Sequence, residues 1–278
     1  MDIAGKVSLV TGGASGIGKA MVEIMLRKQA KGVFIVDVNE DAMKQTQVEF
    51  NNEYGVDKVH ICKCDVTSYE QMEECFKKVI ATYGALHIVC NVAGILNEIK
   101  WERMLQINLN GVIIGTKLAV QYMEGESCGG GVIVNTSSRA GLALVPFEPI
   151  YTTSKYAIIG FSRQVATFDP LVVKKKIRVN VICPCRVETP LLGNLVTEKQ
   201  YQEILDTLLV DPVYSTAMKT TAQEMAGYFV KLIEEPHHNQ TMYVPGSKSC
   251  EFIEDTTKAF RQRTGLEETY MKLLDAAI

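Results

Sequence analysis

At 278 residues the chain is long enough for one large α/β domain or two small ones. A formal net charge of −3 argues against nucleic acid as a partner, since a nucleic-acid footprint carries a basic excess. No apolar run approaches the roughly 20 residues of a membrane span, so no membrane span is expected.

From the amino end, Val7 to Thr11 is a short apolar run that ends in Gly12-Gly13-Ala14-Ser15-Gly16-Ile17-Gly18. An amphipathic segment follows from about Ile17 to Arg27. In this strand–turn–helix context backbone N–H groups and a helix N-terminus face a pyrophosphate, so Gly12, Ser15, Gly16, Ile17 and Gly18 are the expected cradle of a dinucleotide. The spacing is G-x-x-x-G-x-G rather than G-x-G-x-x-G, which points to a different branch of that fold. Val33 to Val36 reads as a second buried strand ending at Asp37. An acidic residue about 20 positions beyond the glycines binds ribose hydroxyls. It also repels a 2′-phosphate, so NAD is expected rather than NADP.

Asn39 is placed to cap a helix running to about Tyr54, and Val59 to Cys64 forms a third strand. Ser68-x-x-Gln71 reads as a capping box for a helix that Gly84 closes. Ile88 to Val92 is the fourth strand. The segment from about Glu98 to Met123 is helical and apolar on more than one face, the mark of a buried helix. Val132 to Asn135 is the fifth strand, with Ser138 at its carboxyl end, where ligands bind in such sheets. A helix from about Pro149 to Phe168 carries Tyr151 and Lys155. Ile177 to Val181 is the sixth strand and Met242 to Val244 the seventh. The alternation, with no internal repeat, predicts one α/β domain over 1–278, a doubly wound seven-stranded parallel sheet wrapped by helices. Residues from about 191 to 218 are expected to form an apolar substrate lid, or equally an ordinary core-packed helix from about Glu198 to Leu209. The tail from about 249 to 278, with Leu266, Tyr270, Leu273 and Leu274 at helical spacing, is expected to dock on its own or a neighbouring subunit.

Tyr151 and Lys155, four residues apart, share one helix face. A phenol ionises near about pH 10, and a neighbouring ammonium favours the phenolate. Lowering that value by about three units corresponds to ~4 kcal/mol. Lys155 and a nearby cationic nicotinamide together are a source for it. The eight cysteines and four histidines show no metal-ligand spacing, so no metal is expected. Cys62, Cys64, Cys90 and Cys183 fall in or beside strands, where free Cys packs as a small hydrophobe. Met1 to Gly5 lead straight into the first strand, which predicts no secretory leader and a cytoplasmic location.

Taken together, Thr11-Gly12-x-x-x-Gly16-x-Gly18, Cys64-Asp65-Val66, Asn91-Val92-Ala93-Gly94, Asn108, Ser138, Tyr151-x-x-x-Lys155 and Cys183-Pro184 resemble the short-chain dehydrogenase/reductase family over nearly the whole chain. Within it the chain looks most like the NAD-dependent 15-hydroxyprostaglandin dehydrogenases and their invertebrate relatives. The stretches Trp101-Glu102-x-Met104-Leu105-Gln106-Ile107-Asn108 and Gly160-Phe161-Ser162-Arg163 support that placement. The resemblance implies the doubly wound Rossmann fold and a catalytic tetrad of Asn108, Ser138, Tyr151 and Lys155. Tyr151 is then the general acid/base, Lys155 its neighbour and a ribose ligand, Ser138 the group that orients substrate, and Asn108 the holder of a water. It further implies that Asp65 and Val66 meet the adenine, Asn91 the adjacent ribose region, and Val187 to Thr189 the nicotinamide side. A homodimer built on the Asn108- and Tyr151-bearing helices is implied as well.

Three positions depart from the family pattern. Val92 replaces a second Asn, Cys185 replaces a glycine near the nicotinamide, and Glu148 stands where the prostaglandin enzymes carry a glutamine near the reacting hydroxyl. The reading is an NAD-dependent oxidoreductase that converts a secondary alcohol on a lipophilic small molecule (terpenoid, eicosanoid or steroid-like) to a ketone. Ser138, Glu148 and Tyr151 are its expected substrate contacts. A carbonyl reductase running in reverse, or a non-catalytic dinucleotide- or lipid-binding protein of the same fold, remains open.

Overall fold

The computed structural model describes residues 1–128, 130–189, 191, 219–246, 249–255 and 272. The strands are β1 (Val7–Thr11), β2 (Gly32–Asp37), β3 (Val59–Lys63), β4 (Ile88–Asn91), β5 (Gly131–Thr136), β6 (Ile177–Pro184), β7 (Arg186–Val187), β8 (Lys219–Thr220), β9 (Thr241–Gly246) and β10 (Ser249–Ile253). Eight of them form one sheet in the order β10-β9-β6-β5-β4-β1-β2-β3, and β7 pairs with β8 beside it. Seven neighbouring strands are parallel, as expected, and β10 adds an antiparallel edge. The first residues of the expected docking tail are therefore a strand. Leu266, Tyr270, Leu273 and Leu274 lie outside the described residues, as does the expected lid apart from Leu191.

The helices are α1 (Gly16–Arg27), α2 (Glu40–Tyr54), α3 (Tyr69–Tyr83), α4 (Trp101–Leu105), α5 (Gly111–Tyr122), α6 (Pro149–Phe168), α7 (Pro170–Lys175) and α8 (Ala222–Glu234). Side chains alternate across each strand, so one strand feeds two cores. Val10 and Ile35 pack with Met21 and Met25 of α1, Met43 and Phe50 of α2 and Phe229 of α8. Leu9, Phe34 and Val36 pack on the other face with Phe76 of α3 and Leu118 of α5. Such strands are buried on both faces, which is why they read as unbroken apolar runs.

Two local readings change. Ser68 Oγ accepts from Gln71 N at 3.3 Å, but the Gln71 side chain turns to Asp65 N at 2.9 Å, so the cap is one-sided rather than a reciprocal box. The helix expected from Glu98 to Met123 starts at Trp101 and carries a π-helical turn over Gln106–Asn110. β1 has β2 on one side and β4 on the other, so the crossovers diverge there and open a crevice at the carboxyl ends of these strands. Among the described residues no helix is long and apolar enough to cross a membrane.

Candidate active site

The crevice begins at the turn after β1. Gly12 has φ of 68°, and a Cβ there would lie 2.9 Å from Ala93 Cα. A Cβ on Gly18 would lie 2.1 Å from Gly12 O, so only glycine lets α1 start this close to the turn. Ser15 occupies the cap position of α1 without a side-chain cap bond, and the first turn holds no acidic residue. Its leading N–H groups thus have no side-chain cap, with the positive end of the helix dipole behind them. Ile17 sends its side chain to the core, leaving its backbone to the crevice. Thr11 Oγ1 accepts from Val92 N at 3.0 Å and Ala93 N at 3.2 Å, tying the ends of β1 and β4 together.

Asp37 sits at the end of β2 as expected. Its Oδ2 accepts from Ala14 N at 3.2 Å and its Oδ1 from Asn39 N at 3.0 Å, so it also braces the glycine turn. Cys64 N donates to Asp37 O, bringing Asp65 and Val66 to the same wall. Asp65 holds Thr67 and an ion pair with Arg103. Burial alone would raise its carboxyl, and the hydrogen bonds from Thr67 and Arg103 outweigh that and lower it. Val66 is buried against Gly111, where a Cβ would come within 2.8 Å of it.

Asn91 departs from the expected ribose contact. Its Nδ2 donates to Asn135 Oδ1 at 2.8 Å and to Thr116 Oγ1 at 3.3 Å, and Asn135 Nδ2 donates to Ser162 Oγ at 2.9 Å. This side chain links β4, β5, α5 and α6 inside the protein. Val187 likewise turns into the core, whereas Thr189 lies over the glycine turn, 3.1 Å from where a Gly16 Cβ would be.

Ser138, Tyr151, Lys155 and Asn108 converge at the carboxyl ends of β4, β5 and β6. Ser138 Oγ accepts from Ala140 N at 3.2 Å, which fixes the hydroxyl at the cap of a short 3₁₀ turn, close enough to the Tyr151 phenol to act on its ionisation. Lys155 Nζ donates to Thr136 O at 3.2 Å and lies 5.4 Å from the Tyr151 ring centroid. Burial raises the Tyr151 phenol; the Ser138 hydrogen bond opposes the rise and the Glu148 charge adds to it. Burial brings Lys155 down to about 8, against a smaller opposing effect of Cys183. Asn108 is fully buried within the π-helical turn. Its Oδ1 accepts from Ile95 N and its Nδ2 donates to Ile95 O, both at 2.8 Å.

Glu148 is buried at 8% exposure. Burial pushes its carboxyl up to about 7; the Glu98 charge pushes the same way and Arg139 opposes. The cationic neighbour is thus Arg139. Leu96, Met104 and Ala140 pack around Tyr151, with Ile95, Val145, Ile150 and Leu191 half-buried at the rim, so the approach to the hydroxyl is apolar.

A doubly wound sheet with a glycine cradle at its topological switch point defines a dinucleotide-binding α/β protein. The chain belongs to the short-chain dehydrogenase family, whose model matches residues 6–200. It is 39% identical to mouse 15-hydroxyprostaglandin dehydrogenase [NAD(+)], covering 91% of this chain and 94% of that protein. It is 37% identical to 3beta-hydroxysteroid dehydrogenase 2 of Eggerthella lenta, over 67% and 73% of the two chains. Among solved structures, levodione reductase superposes with a TM-score of 0.74 at 22% identity, over 88% of this chain and 98% of that one, a likeness of fold.

Proposed function

We propose that this protein is an NAD-dependent dehydrogenase that oxidises a secondary alcohol on a lipophilic small molecule to a ketone, with Tyr151 as general base. The observation that carries the reading is the meeting of Ser138, Tyr151 and Lys155 in an apolar cleft, with Lys155 Nζ 5.4 Å from the Tyr151 ring centroid. The names of its relatives, an NAD(+)-dependent prostaglandin dehydrogenase and a hydroxysteroid dehydrogenase, support both the cofactor and the substrate class.

The residues present fit NAD. The cradle at Gly12 and Gly18 and the uncapped start of α1 suit a pyrophosphate, and Asp37 suits an unphosphorylated ribose. Gly12, Ser15, Gly16, Ile17 and Gly18 hold it through backbone, Asp37, Asp65, Val66 and Lys155 through side chains, and Thr189 closes over the turn. NAD, when bound, supplies the hydride acceptor and a positive charge. Ser138 donates to or accepts from the substrate oxygen and sets its distance to Tyr151. Tyr151 takes the hydroxyl proton as the carbon is oxidised. A phenol raised by burial needs positive charge nearby to act as a base near neutrality, and Lys155 is the chain's own source. The Asn108 side chain is committed to Ile95, so its main-chain carbonyl in the π-helical turn is the group available to a water that relays the proton from Lys155. Neutral lipophilic alcohols such as terpenoid alcohols are the better substrates, because Glu148 disfavours a nearby substrate carboxylate once ionised. The protein acts in the cytoplasm as a homodimer through α5 and α6.

Incubating purified protein with NAD and a panel of terpenoid, steroid, retinoid and eicosanoid alcohols, and following NADH absorbance, tests the reading. At least one secondary alcohol should be turned over. A panel without turnover, alongside undiminished NADH binding, would support the non-catalytic alternative.

A further inference from the structure

Helix α6 opens on Pro149, which has no N–H, and its cap residue Glu148 makes no side-chain cap bond. The first-turn amides left to satisfy are those of Ile150 and Tyr151, since Thr152 N already reaches Glu148 O. Both go to one carboxylate from a distant part of the chain. Glu98 Oε2 accepts from Ile150 N at 3.2 Å, and Oε1 accepts from Tyr151 N at 2.8 Å, across 53 residues of sequence. Just before this turn Phe147 has φ of 63°, a left-handed conformation that a bulky aromatic rarely adopts. The chain thus enters the helix through a strained residue, and the clamp from Glu98 holds the turn that follows.

We infer that Glu98 is a positioning residue for the proposed base: its carboxylate clamps the first turn of α6, and its charge acts on Glu148, which acts on Tyr151. The inference rests on the reading of Tyr151 as base. Glu98 from the β4–α4 connection and Arg139 from the turn after β5 bear on Glu148; Glu148 and Ser138 bear on Tyr151, whose ring has Lys155 Nζ 5.4 Å from its centroid, and Cys183 of β6 bears on Lys155. Burial and then the Glu98 charge hold Glu148 up to about 7, and the charge of Glu148 in turn raises the phenol. Removing the charge at position 98 lets Glu148 ionise at lower pH. The negative charge then stands beside the phenol instead of at the far side of the helix turn. A base that must lose its proton to work accordingly needs a higher pH.

The test compares Glu98→Ala, Glu98→Gln, the Glu98→Gln/Glu148→Gln pair and Tyr151→Phe, using the methyl ester of a 15-hydroxyprostaglandin as probe alcohol. Glu98→Ala should lower kcat at least about tenfold, the scale of a misplaced base, with NADH affinity unchanged by fluorescence titration. Glu98→Gln keeps one acceptor oxygen and should recover most of that turnover, while the acidic limb of its kcat–pH profile moves to higher pH. Adding Glu148→Gln should return the limb toward the wild-type position. Wild-type kcat and profile in both single variants would overturn the inference. So would a loss of NADH affinity in step with kcat, which marks a general structural role. If Glu98→Ala does not fold, the Glu98→Gln profile decides alone. Turnover retained by Tyr151→Phe contradicts the assignment of the base itself, a separate failure.

Discussion

Glu148 carries a stability signature whose sign follows from its burial. Its carboxyl is held up to about 7 against an ordinary 4.5, so the native state binds the proton more tightly than the unfolded chain does. The stabilisation is fully present below the unfolded value and is lost as pH rises through 7. The span corresponds to at most about 3 kcal/mol. Thermal unfolding should therefore show Glu148→Gln gaining on the wild type between pH 5 and pH 8; a constant difference across that range would contradict it. The same ionisation should govern selectivity. The preference for a 15-hydroxyprostaglandin methyl ester over the free acid should grow as pH rises through 7 and shrink in Glu148→Gln. A preference that does not change with pH would separate Glu148 from specificity.

At Asp37 the structure adds a second job to the one expected, since the carboxylate braces the Ala14 and Asn39 amides. NAD should be preferred over NADP at least about tenfold in kcat/KM, because the carboxylate meets ribose hydroxyls and repels a phosphate. Asp37→Ala should narrow that ratio chiefly by weakening NAD. Equal kinetics with both cofactors in the wild type would contradict it. The grouping of Tyr151, Lys155 and Ser138, and the place of Asp37 at the end of β2, were legible in the sequence because the proposed chemistry demands particular residue types at particular spacings. Glu98 was not, since what it binds is a pair of backbone amides that leave no side-chain pattern. Asn91 was read toward the cofactor, but a buried amide at the end of a central strand finds Asn135 and Thr116 first.

At the scale of elements, the glycine turn is the most sharply specified piece. Gly18→Ala places a methyl group against Gly12 O, a backbone atom that cannot move without unfolding the turn. It should cost roughly 1–3 kcal/mol of stability, the usual range for overpacking, and weaken NADH binding more than Gly5→Ala, whose Cβ meets nothing. Similar NADH affinities in the two variants would count against the cradle. The parallel strands and most helices were legible because their apolar runs and caps are local signals. The π-helical turn at Gln106–Asn110 was not, because nothing in an apolar helix pattern marks one extra residue in a turn. β10 was read as part of a docking tail because its pairing with β9 is a tertiary event. α8 went unread, although Thr221 and Glu224 form a reciprocal capping box at its start.

At the scale of the molecule, the π-helical turn, α5 and α6 leave Leu109 and Ile113 half-buried and Tyr156 exposed in a single chain. The proposed homodimer covers them, and sedimentation should give twice the 30.8 kDa chain mass; a monomer at micromolar concentration would remove that part of the account. The proposed chemistry rests on one hydroxyl, that of Tyr151, with Ser138 and Lys155 near it and Glu98 anchoring the helix that carries it. The most direct measurement is single-turnover NADH formation by Tyr151→Phe with the best alcohol of the panel, beside its NADH affinity. The account predicts turnover lower by at least about a hundredfold, the contribution of a positioned base, with NADH bound as tightly as by the wild type. More than a tenth of wild-type turnover in that variant would contradict it.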